Sequence, residues 1–217
     1  MTRVVDRDAR RAVQNGVIRL VRDEDGAVIV EFAIVAPLLL LLTFGMIDFG
    51  RLGFSYVMAQ KATEMAVRAA VVRAPVCTGL PTVNQRGTLS GLLSGLQFGA
   101  SCNAASGLCA TSATVSCTAA NAPEFWADIA PLMPSNAGPE NLKVSYAFDP
   151  DLGFLGGPYT PYVTVEITDL DFEFVTPLGR LARLAGASDT GTLGEDFAFP
   201  SMSASLPAES ILIGDKT

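Results

Sequence analysis

Histidine is absent from this 217-residue sequence, tryptophan occurs once, and only 17% of the residues are charged. Without histidine the chain cannot form a Ser-His-Asp or Cys-His catalytic group or a histidine-ligated zinc site, and it lacks the usual pH-switch residue. The formal net charge is −7, which disfavours a nucleic acid held by a basic surface. The composition therefore excludes many enzyme classes and predicts no nucleic-acid partner.

Hydrophobic residues make up 49% of the chain, and they are concentrated in residues 27–50. Eighteen of these 24 positions are hydrophobic, and no lysine or arginine occurs between Arg22 and Arg51. About 20 apolar residues are needed to cross the ~30 Å hydrocarbon core of a bilayer. The segment therefore predicts a transmembrane helix, in preference to the buried helix of a soluble domain.

The charges that flank this segment predict its orientation. Six arginines precede it, whereas only Arg51, Lys61, Arg68 and Arg73 follow soon after it. The positive-inside bias then predicts a cytoplasmic N-terminus, a single membrane pass and an exported C-terminal part. A cleaved secretory signal is the alternative, but the apolar region of such a signal is shorter, about 7–15 residues, and ends at a small-x-small site. We therefore expect an anchor that remains in the membrane.

All four cysteines lie beyond the apolar segment: Cys77, Cys102, Cys109 and Cys117. An even number of cysteines in an exported segment predicts two disulfides, in one of three connectivities. A four-cysteine zinc site is the alternative, but the gaps of 24, 6 and 7 residues match no paired C-x-x-C pattern. Four free thiols would need a reducing compartment. We expect two disulfides and no metal or other cofactor.

Hydrophobic periodicity predicts an α+β protein. Residues 27–73 have the pattern of one long helix, and short helices are expected at 89–96, 123–126 and 177–185. Alternation of apolar and polar residues predicts strands of an antiparallel sheet at 142–148, 162–168 and 197–206. We expect one apolar face of the long helix to pack against this sheet through Val57, Met58, Met65, Ala69 and Val72.

These patterns divide the chain into four regions. They are a polar cytoplasmic leader at 1–26, a transmembrane helix at 27–50, an amphipathic extension of that helix at 51–73 and a small disulfide-bonded extracytoplasmic α+β domain at 74–217.

The start of the apolar segment carries the most informative pattern. Gly26 closes the charged leader, and a carboxylate, Glu31, follows five residues later inside the apolar helix. A carboxylate at the bilayer centre costs roughly 3 kcal/mol of insertion free energy, so Glu31 calls for a partner. Cleavage between Gly26 and Ala27 would create a new α-amino cation, which could pair with Glu31 of an adjacent helix and set the stagger of packed subunits.

The run DEDGAVIVEFAIVAPLLLLLTFGMIDFGR, followed by QKATEMAVRAA, resembles TadE-like proteins of the tight-adherence (Tad or Flp) pilus system. In that family the leader ends in glycine, glutamate and an aromatic residue occupy mature positions five and six, and a G-x-x-[DE]-[FY]-G element follows an L-rich run. The residues that match are Gly26, Glu31, Phe32, Gly45, Asp48, Phe49 and Gly50. The resemblance covers roughly residues 22–72.

The resemblance implies a type IV pilin-like architecture and a role as pseudopilin or minor pilin. It also implies processing by a prepilin peptidase, contact with other pilins and pilus assembly proteins, and a location in the bacterial inner membrane with the C-terminal domain in the periplasm. The implied processing site is Gly26, Ala27, Glu31 and Phe32, and the candidate assembly residues are Glu31 and Asp48. Taken alone, Asp48 has the simpler interpretation of a carboxylate that reaches the membrane–water interface.

Other candidate sites are weaker. Asp189-Thr190-Gly191 spells the D-T-G of aspartic proteases, but it occurs once and a catalytic dyad needs two, so a turn is expected. Asp169, Asp171 and Glu173 alternate and could bind calcium, although a solvated strand face is the commoner explanation. We expect a non-enzymatic assembly component. The alternatives are an uncleaved anchor carrying a periplasmic binding or sensing domain, and an anchored hydrolase that uses Asp189.

Overall fold

The computed structural model describes residues 24–88 and 98–209. These residues form two compact units. One comprises the described residues up to Gly50 together with Glu173–Glu195, and the other comprises those of Arg51–Phe172 and those from Asp196 onward. A long apolar helix followed by an antiparallel sheet with two disulfides confirms the predicted α+β class. The helix predicted at 89–96 lies outside the described residues.

Helix α1 spans Glu24–Val72, 49 residues, and contributes to both units. Pro37 lies inside it and removes one backbone N–H from the helical hydrogen bonds. The helix continues through Pro37 to Val72, and this confirms the continuous helix predicted at 27–73. Val28–Val72 is the one helix within the described part of the chain that is long and apolar enough to cross a membrane, and its most apolar 18-residue stretch is not buried.

The main sheet has four antiparallel strands in the order β1-β2-β3-β6. Their bounds are β1 Val115–Thr118, β2 Leu142–Ala147, β3 Tyr162–Ile167 and β6 Met202–Pro207. The predicted strands at 142–148 and 162–168 are confirmed, whereas β1 was not expected. The apolar face of β2 and β3 forms the centre of the core, where each of these side chains is at most 1% exposed: Leu142, Val144, Tyr146, Val163, Val165 and Ile167.

The prediction of one continuous strand at 197–206 is wrong, because this segment contains two strands. It consists of β5, Phe197–Ala198, which pairs with β4, Asp171–Phe172, and of β6, which belongs to the main sheet. Pro200 lies between the two strands, and proline cannot donate to a ladder of backbone hydrogen bonds. Two further helices, α2 at Pro123–Ile129 and α3 at Leu178–Leu184, confirm the short helices predicted there.

Both predicted disulfides are present, and the structure supplies the connectivity that the spacing left open. Cys77 pairs with Cys117, which joins the chain just after α1 to strand β1, and Cys102 pairs with Cys109 within a local loop. The chain just after α1 has a second attachment, because the Val76 N–H donates a 3.1 Å hydrogen bond to the Tyr146 hydroxyl. The C-terminal end of α1 is therefore held to the sheet by a covalent and a polar link.

The predicted packing face of α1 is wrong. Val57, Met65 and Val72 are 54%, 50% and 58% exposed, and Met58 and Ala69 are half-buried. The buried side of this part of the helix is formed by small residues with a few larger ones: Ala59, Ala62, Thr63, Ala66, Val67, Ala70 and Val71. The small side chain of alanine lets a helix pack closely against its surroundings, which agrees with a buried side made mainly of alanine.

Candidate membrane anchor and assembly site

The residues of the predicted processing site lie at the start of α1. Gly26 and Ala27 belong to its first turns, and the side chains of Glu31 and Phe32 are both exposed, that of Phe32 by 70%. The Glu31 carboxylate is therefore presented on the surface of the helix. The structure therefore places Glu31 where a neighbouring molecule can reach it.

The helix around Glu31 exposes large apolar side chains on all sides. Within residues 28–50 these are Val28, Ile29, Val30, Phe32, Ile34, Val35, Leu38, Leu39, Leu40, Leu42, Met46, Ile47 and Phe49. Soluble monomers seldom expose a contiguous apolar surface of this size, because contact of apolar surface with water is unfavourable. Lipid, or the apolar helices of other subunits, is the surrounding that fits this part of α1, as in a single-pass membrane anchor.

Asp48 lies near the C-terminal end of the same apolar run, and its side chain is fully buried. Its carboxylate accepts a 3.1 Å hydrogen bond from the Thr176 backbone N–H and another from the Thr176 hydroxyl. Next to it the rings of Phe49 and Phe174 meet edge to face, with centroids 6.2 Å apart. The Asp48 carboxylate is therefore not exposed to solvent, as a carboxylate reaching the interface would be, because Thr176 supplies two hydrogen-bond donors to it inside the protein.

The two candidate assembly residues do not form one site. They are 17 positions apart in a continuous helix, which corresponds to about 26 Å along its axis. Glu31 is exposed, whereas Asp48 binds a segment of its own chain. Sequence reasoning missed Thr176 and Phe174, because nothing in the spacing of these residues indicates a contact with a helix 128 positions earlier.

The weaker candidates have structural explanations. The Asp189 carboxylate accepts a 2.8 Å hydrogen bond from the Gly191 N–H, which is the turn that the sequence predicts. Asp169 and Asp171 do not share a strand: Asp169 has a positive φ of 53°, and Asp171 begins β4. Among the described residues, no group of three cysteine, aspartate or glutamate side chains is close enough to hold a metal ion.

Comparison with protein families points to the same part of the chain as the geometry. The fold defines a long apolar helix, consistent with a single-pass membrane anchor, that is followed by a disulfide-bonded antiparallel domain. Residues 26–68 match the family model described as TadE-like protein, and this confirms the resemblance noted from the sequence. The TadE-like segment indicates a protein related to the Tad pilus. No curated protein and no solved structure gives a significant match.

Proposed function

We propose that the protein is a pseudopilin or minor pilin that takes part in the assembly of a Tad-type pilus. The role is structural and involves no catalytic step or cofactor. In this proposal α1 anchors the chain in the bacterial inner membrane with its N-terminus in the cytoplasm, and the disulfide-bonded domain lies in the periplasm. The TadE-like segment at residues 26–68 supports this assignment.

The observation that carries the proposal is an exposed apolar stripe on residues 51–72 of α1. Phe54, Val57, Met65 and Val72 are each at least half exposed, and their spacing puts them on the side of the helix opposite the buried alanines. An anchor that serves only to hold a binding domain needs no exposed apolar stripe beyond the membrane. A helix that packs among the helices of other pilins does need one, because apolar surface then becomes buried on assembly.

The test uses one substitution on the stripe and one control on the same helix. Met65→Asp introduces a charge into the stripe, and Gln60→Asp introduces the same charge at an exposed position outside it. In cells that express the complete pilus system, we expect Met65→Asp to remove the chain from sheared surface fibres or from complexes with other pilins. Gln60→Asp should leave both unchanged. Equal behaviour of the two variants would contradict a role of the stripe in assembly.

Cleavage after Gly26 separates this proposal from an uncleaved binding or sensing anchor. We expect the membrane-resident protein to begin at Ala27, so that Glu31 becomes its fifth residue and can pair with the new amino group of a neighbour. Gly26→Leu should prevent processing, because the bulkier side chain obstructs approach to the backbone. N-terminal sequencing decides the matter, and an intact leader in cells with an active prepilin peptidase would favour the sensing anchor.

A further inference from the structure

The segment Glu173–Glu195 forms a compact unit with the membrane-spanning half of α1, and pilus assembly as proposed above makes no use of it. Thr176 and Phe174 hold the segment beside Asp48 and Phe49. Asp48 lies 20 residues after Val28 in a continuous helix, or about 30 Å along its axis. This length equals the ~30 Å thickness of the hydrocarbon core, so in a membrane that α1 enters at Val28 the segment lies at the level of the outer lipid headgroups.

Two large apolar side chains of this segment are exposed. Val175 is 70% exposed and Leu184 is 71% exposed, although Leu178 and Ala182, on the opposite side of α3, are almost completely buried. Thus α3 has one side packed within its unit and another side that presents an apolar residue outward. In a segment fixed at the level of the headgroups, the neighbouring medium that accepts such side chains is the outer edge of the hydrocarbon core.

Basic residues accompany these apolar ones. Arg180 and Arg183 are exposed on α3 and line an open pocket of about 370 Å³, whose other wall is the loop 190–195. Glu195 is the acidic residue of this lining. The wall is closely packed, since a Cβ at Gly179 would lie 2.9 Å from the carbonyl oxygen of Leu193. The pocket therefore has a defined shape and is lined by two arginines, and the Arg183 guanidinium donates a 3.4 Å hydrogen bond to the Thr190 hydroxyl across it.

We propose that Glu173–Glu195 docks on the outer surface of the membrane that α1 spans and binds anionic phospholipids there. Val175 and Leu184 insert at the edge of the acyl chains, and Arg180 and Arg183 contact the headgroup phosphates, for which guanidinium groups are well suited. The proposal rests on the membrane anchor of the proposed function. The charge of the arginines and the continuity of the segment with the anchor favour lipid over a protein as the occupant.

Depth-dependent fluorescence quenching of the full-length protein tests this docking. A single additional cysteine, Val175→Cys or Leu184→Cys, is labelled with an environment-sensitive dye, because the four native cysteines are paired in disulfides. The protein is reconstituted into phosphatidylcholine vesicles with or without phosphatidylglycerol. We expect lipids spin-labelled near the glycerol to quench both dyes, and aqueous iodide to quench them weakly. Leu42→Cys, within the anchor, is the positive control.

The arginines are tested by comparing Arg180→Gln/Arg183→Gln with Arg180→Lys/Arg183→Lys. Phosphatidylglycerol should raise the inserted population of the parent by about fivefold per basic residue near the surface. The glutamine variant should lose this increase, and the lysine variant should keep most of it. An increase that survives in the glutamine variant, or no increase in the parent, would overturn headgroup binding.

The two levels of the proposal fail in different ways. If the dyes at positions 175 and 184 are open to iodide while the dye at position 42 is quenched by lipid, the surface docking is overturned and the exposed residues belong to a protein contact. If the dye at position 42 is itself not quenched by lipid, the membrane anchor fails, and the proposed pilin function fails with it.

Discussion

The two halves of α1 are equally helical but differ in which side chains they expose. In residues 28–50 large apolar side chains are exposed on every side of the helix. Asp48 differs from them, because it is polar, buried and hydrogen-bonded to Thr176. In residues 51–72 one side is buried through alanines such as Ala62 and Ala66, and the other side carries exposed residues such as Phe54 and Met65. One continuous helix thus has two different surroundings.

This difference shows that apolar content alone does not identify a packing face. A uniformly apolar helix fits a lipid or multi-helix surrounding, whereas a helix with a small-residue side fits close contact with its own chain. The larger apolar residues of the part 51–72 remain available for contacts with other molecules. The following predictions test this division, in order of decreasing expected effect.

The largest effect on the free energy of unfolding is expected on the buried side of residues 51–72. Ala66 is 0% exposed and Met65 is 50% exposed, although the two are neighbours. Ala66→Asp should lower the free energy of unfolding by about 3–5 kcal/mol, because it buries a charge without a partner. Met65→Asp should change it by about 0.5 kcal/mol or less. Trp126, the single tryptophan, reports unfolding of the full-length protein in nanodiscs by its fluorescence.

Equal destabilisation by the two aspartates would contradict the assignment of the buried side. Ala62→Asp repeats the test one turn earlier, because Ala62 is also 0% exposed.

A smaller effect on stability is expected where residues 28–50 contact Thr176. Thr176→Val removes the hydroxyl donor of the Asp48 carboxylate and leaves the backbone donor in place. The cost should be about 1–3 kcal/mol, the usual penalty for a buried polar group that loses one hydrogen bond. Because this contact lies in one compact unit, amide hydrogen exchange should accelerate in Glu173–Glu195. Thr192→Val, at an exposed position of the same segment, is the matched control.

Unchanged exchange in Thr176→Val would mean that the hydroxyl hydrogen bond to Asp48 does not hold the segment. Acceleration by both threonine variants would indicate a general effect of lost hydroxyl groups.

The smallest effect is expected at the link between the end of α1 and the sheet. Tyr146→Phe removes the acceptor of the Val76 N–H and should cost about 1 kcal/mol at neutral pH. Tyr162→Phe, at an exposed position on β3, should cost less than about 0.5 kcal/mol. Thermal unfolding followed by Trp126 fluorescence compares the two.

Alkaline pH sharpens this last prediction. Burial raises the pKa of the Tyr146 phenol above its ordinary value, although the hydrogen bond from Val76 acts in the opposite direction. The unfolded phenol ionises near pH 10, so stability from the neutral phenol is complete below that pH. It is lost as the pH rises from about 10 toward the raised pKa of the folded protein. The difference between the parent and Tyr146→Phe should therefore shrink above about pH 10.

Burial also raises the pKa of Tyr159, so Tyr146→Phe should retain part of the alkaline destabilisation. A gap between parent and variant that grows with pH would contradict the assigned direction.

The predictable parts of the structure depend on local pattern. Residues 27–50 are apolar enough to indicate a helix in lipid wherever the rest of the chain lies, and the family match covers this same part. Alternation in β2 and β3 predicts their buried faces, because side chains of a strand point to opposite sides in turn. The number of disulfides follows from the count and location of the cysteines.

Other features depend on contacts between distant parts of the chain. The pairing of Cys77 with Cys117 follows from the position of β1 beside β2, and β1 itself is a short strand in a stretch without strong alternation. Pro200 divides the last predicted strand, but only sheet pairing decides which piece joins which sheet. Composition contains no information about such partners.

Periodicity, length and residue type are sufficient to predict a long apolar helix with a TadE-like start and a disulfide-bonded sheet domain beyond it. Tertiary structure alone decided that the alanine side of α1 is buried and that Asp48 binds Thr176. The first requires knowing how closely other backbone approaches the helix, and the second joins residues 128 positions apart. Both depend on the three-dimensional path of the chain, which local pattern does not encode.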